Sequence, residues 1–294
     1  MSQSSSADAY KPGCEIKPGM IPPSNAQRWV LLVEYLGRDF HGFAKQVTSP
    51  NTIQARLESA LSKVACEEIQ VVCAGRTDAG VHATGQVVHF DTTRERPSKA
   101  WILGVNSYLP ASIRVHYAQP VCWAFHARFS AGARTYRYLL ASATVPSATF
   151  TDQVSWTRFA LDTARMQEAC RYFLGEHDFT SFRTVQCQAK NPVRTITHIQ
   201  LHLVNKLIVL EITANAFLHH MVRNIMGSLI EVGRGMREPI WIAEVLAARD
   251  RSLAAPTAQP GGLYLVSVAY PEEFGIVQRD KGPLLLPNNL ATCG

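Results

Sequence analysis

The chain has 294 residues, 47% of them hydrophobic, enough to bury a full core in one large or two small domains. Lys and Arg number 29 against 23 Asp and Glu, and a net charge of +6 is too modest to identify a partner by itself. The seven cysteines include no CxxC pair and no Cys/His cluster at zinc-ligand spacing, which argues against a disulfide framework or a metal site and for reduced thiols in a cytoplasmic protein.

Residues 1–27 combine clustered serines with Pro12, Pro18, Pro22 and Pro23, and read as a disordered tail. That tail lacks the basic start and apolar run of a signal peptide. Trp29 to Leu36 is β-rich and predicts the first strand. Ile53, Leu57, Ala60, Leu61 and Val64 recur at helical spacing, with Thr52 placed to cap them. Strands are expected at Ile69–Ala74 and Gln86–Phe90, with a Gly-rich loop over 75–85 between them. A helix near Ser98–Tyr108 and a strand near Ile113–Ala118 complete an N-terminal half, 28–125.

The second half, 126–274, has a similar rhythm. A strand is expected at Tyr136–Ala141, then a helix marked by Met166, Ala169, Cys170 and Phe173, capped by Asp162 and ended by Gly175. Thr195–Val204 and Leu207–Ala214 form a hairpin pattern around Asn205-Lys206. Helices near 217–233 and 239–249 and a strand at Leu263–Ala269 follow, then a tail over 275–294. The longest uncharged stretch, Ser252 to Pro271, is broken by Pro256, Pro260, Gly261 and Gly262, and cannot span a bilayer as a helix. Mixed strands and helices with hairpin connections predict an α+β fold with a mostly antiparallel sheet.

The distribution of charge says more than its sum. No acid occurs from Arg96 to Thr151, where Arg96, Lys99, Arg114, Arg128, Arg134 and Arg137 fall, nor from Phe179 to Leu210, which holds Arg183, Lys190, Arg194 and Lys206. Windows of one sign suit a polyphosphate-binding face, although scattered solvated charge gives the same pattern.

Three strings could carry chemistry. In Ala74-Gly75-Arg76-Thr77-Asp78-Ala79-Gly80-Val81-His82-Ala83 the one carboxylate, Asp78, stands two residues from Arg76. A cation that close favours the ionised form, fit for a nucleophile or base, while Asp-Ala-Gly is also ordinary turn chemistry. His82 and His89 beside it read as structural or surface histidines. In His126-Ala127-Arg128-Phe129-Ser130-Ala131-Gly132-Ala133-Arg134-Thr135-Tyr136-Arg137-Tyr138, strand alternation puts Tyr136 and Tyr138 on one face and Thr135 and Arg137 on the other. Aromatics beside arginines can stack on an extruded base, or simply form an edge strand. The third string is Asn215-Ala216-Phe217-Leu218-His219-His220-Met221-Val222-Arg223-Asn224-Ile225-Met226-Gly227. Read as a helix, it puts His220, Arg223, Asn224 and Gly227 on one face, and Gly227 permits a close approach there. Adjacent histidines on a helix diverge by about 100°, which argues against a shared metal.

Together these strings closely resemble the bacterial tRNA pseudouridine synthase A (TruA) family, supported by Asp178-Phe179-Thr180-Ser181-Phe182-Arg183 and Gly262-Leu263-Tyr264-Leu265, over about Arg28 to Pro287. The resemblance implies two α+β halves sharing an antiparallel sheet, a basic cleft between them, a homodimer, and no metal or cofactor. It implies an isomerase acting on nucleotides 38, 39 and 40 of the tRNA anticodon arm, in the cytoplasm. Asp78 then matches the catalytic aspartate, Arg76 an arginine that helps extrude the nucleotide and pairs with the carboxylate, and Arg223 an arginine that orients it. Tyr136 matches the tyrosine that packs on the uracil, and Arg128, Arg134 and Arg137 are expected to contact substrate. The sequence departs from the family at Leu36 and Phe43, where Asp and Trp are usual, in an early stretch expected to touch RNA.

Two other functions share some of these features. A non-catalytic RNA chaperone would use the same basic windows but gives Asp78 no purpose. A zinc-dependent nucleotide enzyme would require bound metal.

Overall fold

The computed structural model describes residues 25–47, 49–277, 282–287 and 290; most of the expected N-terminal tail and parts of the C-terminal one lie outside them. Among the described residues, no helix is long and apolar enough to cross a membrane.

The first strand, β1 (Gln27–Tyr35), carries the apolar run seen in the sequence, and Thr52 caps α1 (Ile53–Ala65) by accepting from the amide of Ala55. Strand β2 is shorter than expected (Val71–Cys73) and β3 longer (His82–Thr92), so the Gly-rich loop closes by Val81. The helix expected near 98–108 begins as a π turn, Ala100–Gly104, before α2 (Val105–Tyr108) leads to β4 (Ile113–Val121).

In the second half, β5 (Ala133–Ser142) is followed by β6 (Ser155–Thr157) and α3 (Thr163–Cys170). Asp162 accepts from the amides of Ala164 and Arg165, a cap worth about 1 kcal/mol. The expected end at Gly175 is instead reached through a 3-10 turn at Arg171–Phe173, and Gly175 opens β7 (Gly175–Asp178). The hairpin of β8 (Val193–Val204) and β9 (Leu207–Ala214) turns on Asn205, at φ 55°. Then come α4 (Met221–Gly233), α5 (Trp241–Ala248) and β10 (Leu263–Ala269).

All ten strands join one sheet in the order β4-β1-β3-β10-β5-β9-β8-β7, with β2 paired to β3 and β6 to β5. Pairing is antiparallel except for β5 with β6 and for β10 with β3, where Tyr264 and Leu265 lie beside His82 and Ala83. The late strand β10 therefore joins the two halves. A large core built on Leu31, Phe90, Trp101, Phe173, Phe182 and Leu210 runs through both.

The close approach allowed by Gly227 is made by the chain itself. A Cβ there would stand 2.0 Å from the backbone oxygen of Pro256. Gly227→Ala is expected to lower stability by roughly 2–3 kcal/mol, read as a fall in the urea midpoint. It should also disturb Arg223, whose backbone and Nε both bond to Ala258 two residues beyond Pro256.

Candidate active site

The loop 74–81 is held carbonyl by carbonyl. Ala74 O accepts from Arg134 (3.1 Å), Gly75 O from Gln86 (2.7 Å), Thr77 O from the amide of Phe43 (3.0 Å) and Asp78 O from the amide of Val81 (3.1 Å). The last bond closes a four-residue turn whose third position is Gly80, at φ +78°, a conformation that favours glycine. Thr77 is buried and its hydroxyl meets that of Tyr35 at 2.8 Å. The turn thus uses Asp78's backbone and leaves its side chain, 25% exposed, pointing at other elements.

Those elements come from the third string. His219 Nε2 lies 3.3 Å from Asp78 Oδ1, while His220 Nε2 and Arg223 Nη1 lie 3.4 and 3.6 Å from Oδ2. The expectation that adjacent histidines diverge fails, because neither belongs to the helix. Residues 217–220 precede α4, and His220 sits at its N-cap with φ 62°, which brings the two rings within 4.1 Å of each other. Ligand atoms of Asp78, His219 and His220 fall within 4.8 Å of one another. The Arg223 guanidinium on the same carboxylate works against a second cation there. Burial foremost holds His220 below the ordinary imidazole range, against the pull of Asp78.

Tyr136 underlies the loop, its hydroxyl 3.9 Å from where a Cβ on Gly75 would stand, with Phe217 edge-on at 5.0 Å. Burial, and second the charge of Asp78, push its phenol up, keeping it protonated. The structure thus brings Asp78, Arg223 and Tyr136 together from three separate stretches.

The other arginines divide. Arg76 is exposed and makes no hydrogen bond or ion pair among the described residues; Asp78's partner is Arg223 instead. Arg128 is exposed beside Phe129. Arg134 is committed to the carbonyls of Ala131, Asn215, Ala74 and Arg128, a brace that ties all three strings together. Arg137 is not brought to Asp78 and Tyr136. It is buried on the opposite face from Tyr136, with Nε 2.8 Å from Glu211 Oε2 and Nη1 on Gly282 O, so no phosphate can reach it. Phe43 is likewise buried, against Tyr35, and supports the loop through its amide rather than facing RNA.

Sequence reasoning missed His219, His220 and Thr184, whose hydroxyl lies 2.6 Å from His219 Nδ1. The adjacent pair His219-His220 was the available signal. His82 and His89 are both buried and structural. His82 Nδ1 accepts from the Gly37 amide, and His89 Nδ1 from that of Ala127.

Burial chiefly, with Arg28 second, pushes His89 down from 6.5 to about 3. The unfolded chain therefore takes up this proton first, and stability is lost as pH falls from 6.5 towards 3. Between pH 7 and 5 the loss from this group is about 2 kcal/mol. His89→Asn, which keeps an acceptor for Ala127, should flatten that slope in urea titrations at the two pH values.

A family profile described as tRNA pseudouridine synthase matches residues 31–130 and 169–271, which defines the class as RNA-modifying isomerases. A tRNA pseudouridine synthase A of Alcanivorax borkumensis is 51% identical over 263 residues, covering 90% of this chain and 98% of its own. That of Pseudomonas aeruginosa is 51% identical over 274 residues, covering 91% and 96%. The chain belongs to the tRNA pseudouridine synthase family and converts uridine in tRNA to pseudouridine. Among solved structures, a Cbf5-Nop10-Gar1 complex overlaps 81% of this chain and 48% of its own at 12% identity with a TM-score of 0.34.

Proposed function

We propose that this enzyme acts on uridines 38, 39 and 40 of the tRNA anticodon arm, with Asp78 as the nucleophile. The observation that carries the reading is the partly open Asp78 carboxylate, met by Arg223 and two imidazoles on a loop pinned through the carbonyls of Ala74, Gly75, Thr77 and Asp78. In the reaction the N1–C1′ bond breaks, the uracil turns, C5 bonds to C1′, the C5 proton leaves and N1 gains one. Mass is unchanged. Whether the carboxylate bonds to C1′, bonds to C6, or assists elimination to a glycal, the base must first leave the stack, at about a few kcal/mol and less near a loop.

Arg76, exposed and without an ion-pair partner among the described residues, suits the vacated space or a backbone phosphate, and Arg128 a phosphate beside it. Tyr136 provides a flat floor that keeps the detached uracil bound while it turns. Arg223 orients the carboxylate. The working form is a cytoplasmic homodimer, for which sedimentation equilibrium should give twice the chain mass.

The test maps pseudouridine by carbodiimide (CMC) labelling and primer extension in tRNA from cells lacking the protein. Loss confined to nucleotides 38–40, restored by the purified enzyme, is the expected result. Unchanged modification at those nucleotides refutes the assignment.

A further inference from the structure

Asp78 is the reacting group in the reading above, yet its own loop supplies only backbone contacts and its sequence neighbour Arg76 does not pair with it. What fixes the carboxylate arrives from the turn before α4. Two of its three partners there are imidazoles, one on each oxygen.

His219 differs from His220 in how it is held. Its Nδ1 lies 2.6 Å from the Thr184 hydroxyl, and its backbone oxygen accepts from the Thr184 amide at 3.3 Å. An ionised carboxylate only accepts, so the tautomer with its proton on Nε2 is the one that suits the 3.3 Å contact with Asp78 Oδ1. In that tautomer Nδ1 is the acceptor and the Thr184 hydroxyl donates to it. One tautomer satisfies both neighbours.

The backbone is shaped for the same end. His220 adopts φ 62°, a left-handed conformation that costs an L-residue energy. That single residue turns the chain so that neighbouring rings, tilted by 37° with centroids 4.1 Å apart, face one carboxylate, where a helix would have sent them apart. The His219 side chain remains 38% exposed, so it fills little of the core; its polar contacts among the described residues are with Thr184 and Asp78.

We propose that His219, with its tautomer set by Thr184, is a positioning residue that holds the Asp78 carboxylate in line for attack on the target nucleotide. The proposal rests on Asp78 being the nucleophile. His219 takes Oδ1 while His220 and Arg223 take Oδ2, so the rotation of the carboxyl group about its own axis is fixed before substrate arrives. Arg223 alone grips one oxygen and leaves that rotation free.

The experiment compares single-turnover rates and tRNA dissociation constants for four variants. His219→Leu should slow the chemical step by about 100-fold, the scale set by misplacing a reacting group by an ångström, with the tRNA dissociation constant within about threefold. His219→Gln, which carries an amide N–H towards the same oxygen, should recover most of the rate. Thr184→Val, nearly isosteric, frees the other tautomer and should slow the step by about 10-fold, and Thr184→Ser should restore it.

A His219→Leu rate within threefold of the parent overturns the proposal. So does a loss carried by tRNA affinity instead of rate, or a Thr184→Ser variant as slow as Thr184→Val. Should His219→Leu fold poorly, the Thr184 pair decides. Asp78→Asn is measured alongside: activity in that variant sinks the nucleophile reading itself, whereas an inactive Asp78→Asn beside a normal His219→Leu sinks only the present proposal.

Discussion

Asp78→Asn is expected to lower the rate of pseudouridine formation by about 10⁴-fold or more, the scale on which loss of a nucleophile registers. The tRNA dissociation constant should stay within about threefold. Asparagine has the same shape, and the turn uses only the backbone of residue 78, whose oxygen meets the Val81 amide. Release of the C5 hydrogen from tRNA labelled with tritium at C5 of uridine measures the first quantity, and filter binding the second. Preserved affinity distinguishes lost chemistry from lost recognition. A variant that still releases tritium at a tenth of the parental rate would remove Asp78 from the mechanism.

Arg137→Met is expected to act on stability alone, by about 3–5 kcal/mol, the range for stripping one partner from a buried ion pair. The Arg137 and Glu211 side chains are 4% and 10% exposed, and His198 stands 3.8 Å from the other carboxylate oxygen. Removing the guanidinium leaves a buried acid whose charge has lost its closest match. Arg137→Met with Glu211→Leu should recover most of the loss, because both desolvation costs disappear together. Urea unfolding gives the energies. The folded fraction of Arg137→Met should bind tRNA as the parent does; a large loss of affinity with unchanged stability would return Arg137 to the RNA face.

The contrast between Arg137 and Arg223 shows how far the sequence reaches. Local patterns identify the longer strands, the caps at Thr52 and Asp162 and the Asn205 turn, because each depends on residues within a few positions. The three chemical strings are also visible, since each is dense in unusual residue types. Their partners are not. Arg137 pairs with Glu211 on β9, and Asp78 with residues 219–223, through contacts that only the sheet order determines. Arg76, near in sequence to Asp78, is the obvious partner and is not the one used. The His219-His220 pair misleads in another way: a helical pattern extends through it, but one left-handed residue, His220, delays the start of the helix to Met221 and reverses the inference about where the rings point. Strands β6 and β7 escape notice because three or four residues show no alternation to detect.

The parallel pairing of β10 with β3 has a consequence for how the enzyme is made. Residues 75–80 emerge from the ribosome early, while β10, which lies between β3 and β5, emerges after everything that faces Asp78. A growing polypeptide therefore carries Asp78 long before residues 219–223, which contact it, are made. The strands on either side become one sheet only when residues 263–269 pair with both β3 and β5, so the last strand made is the one that closes the frame around Asp78.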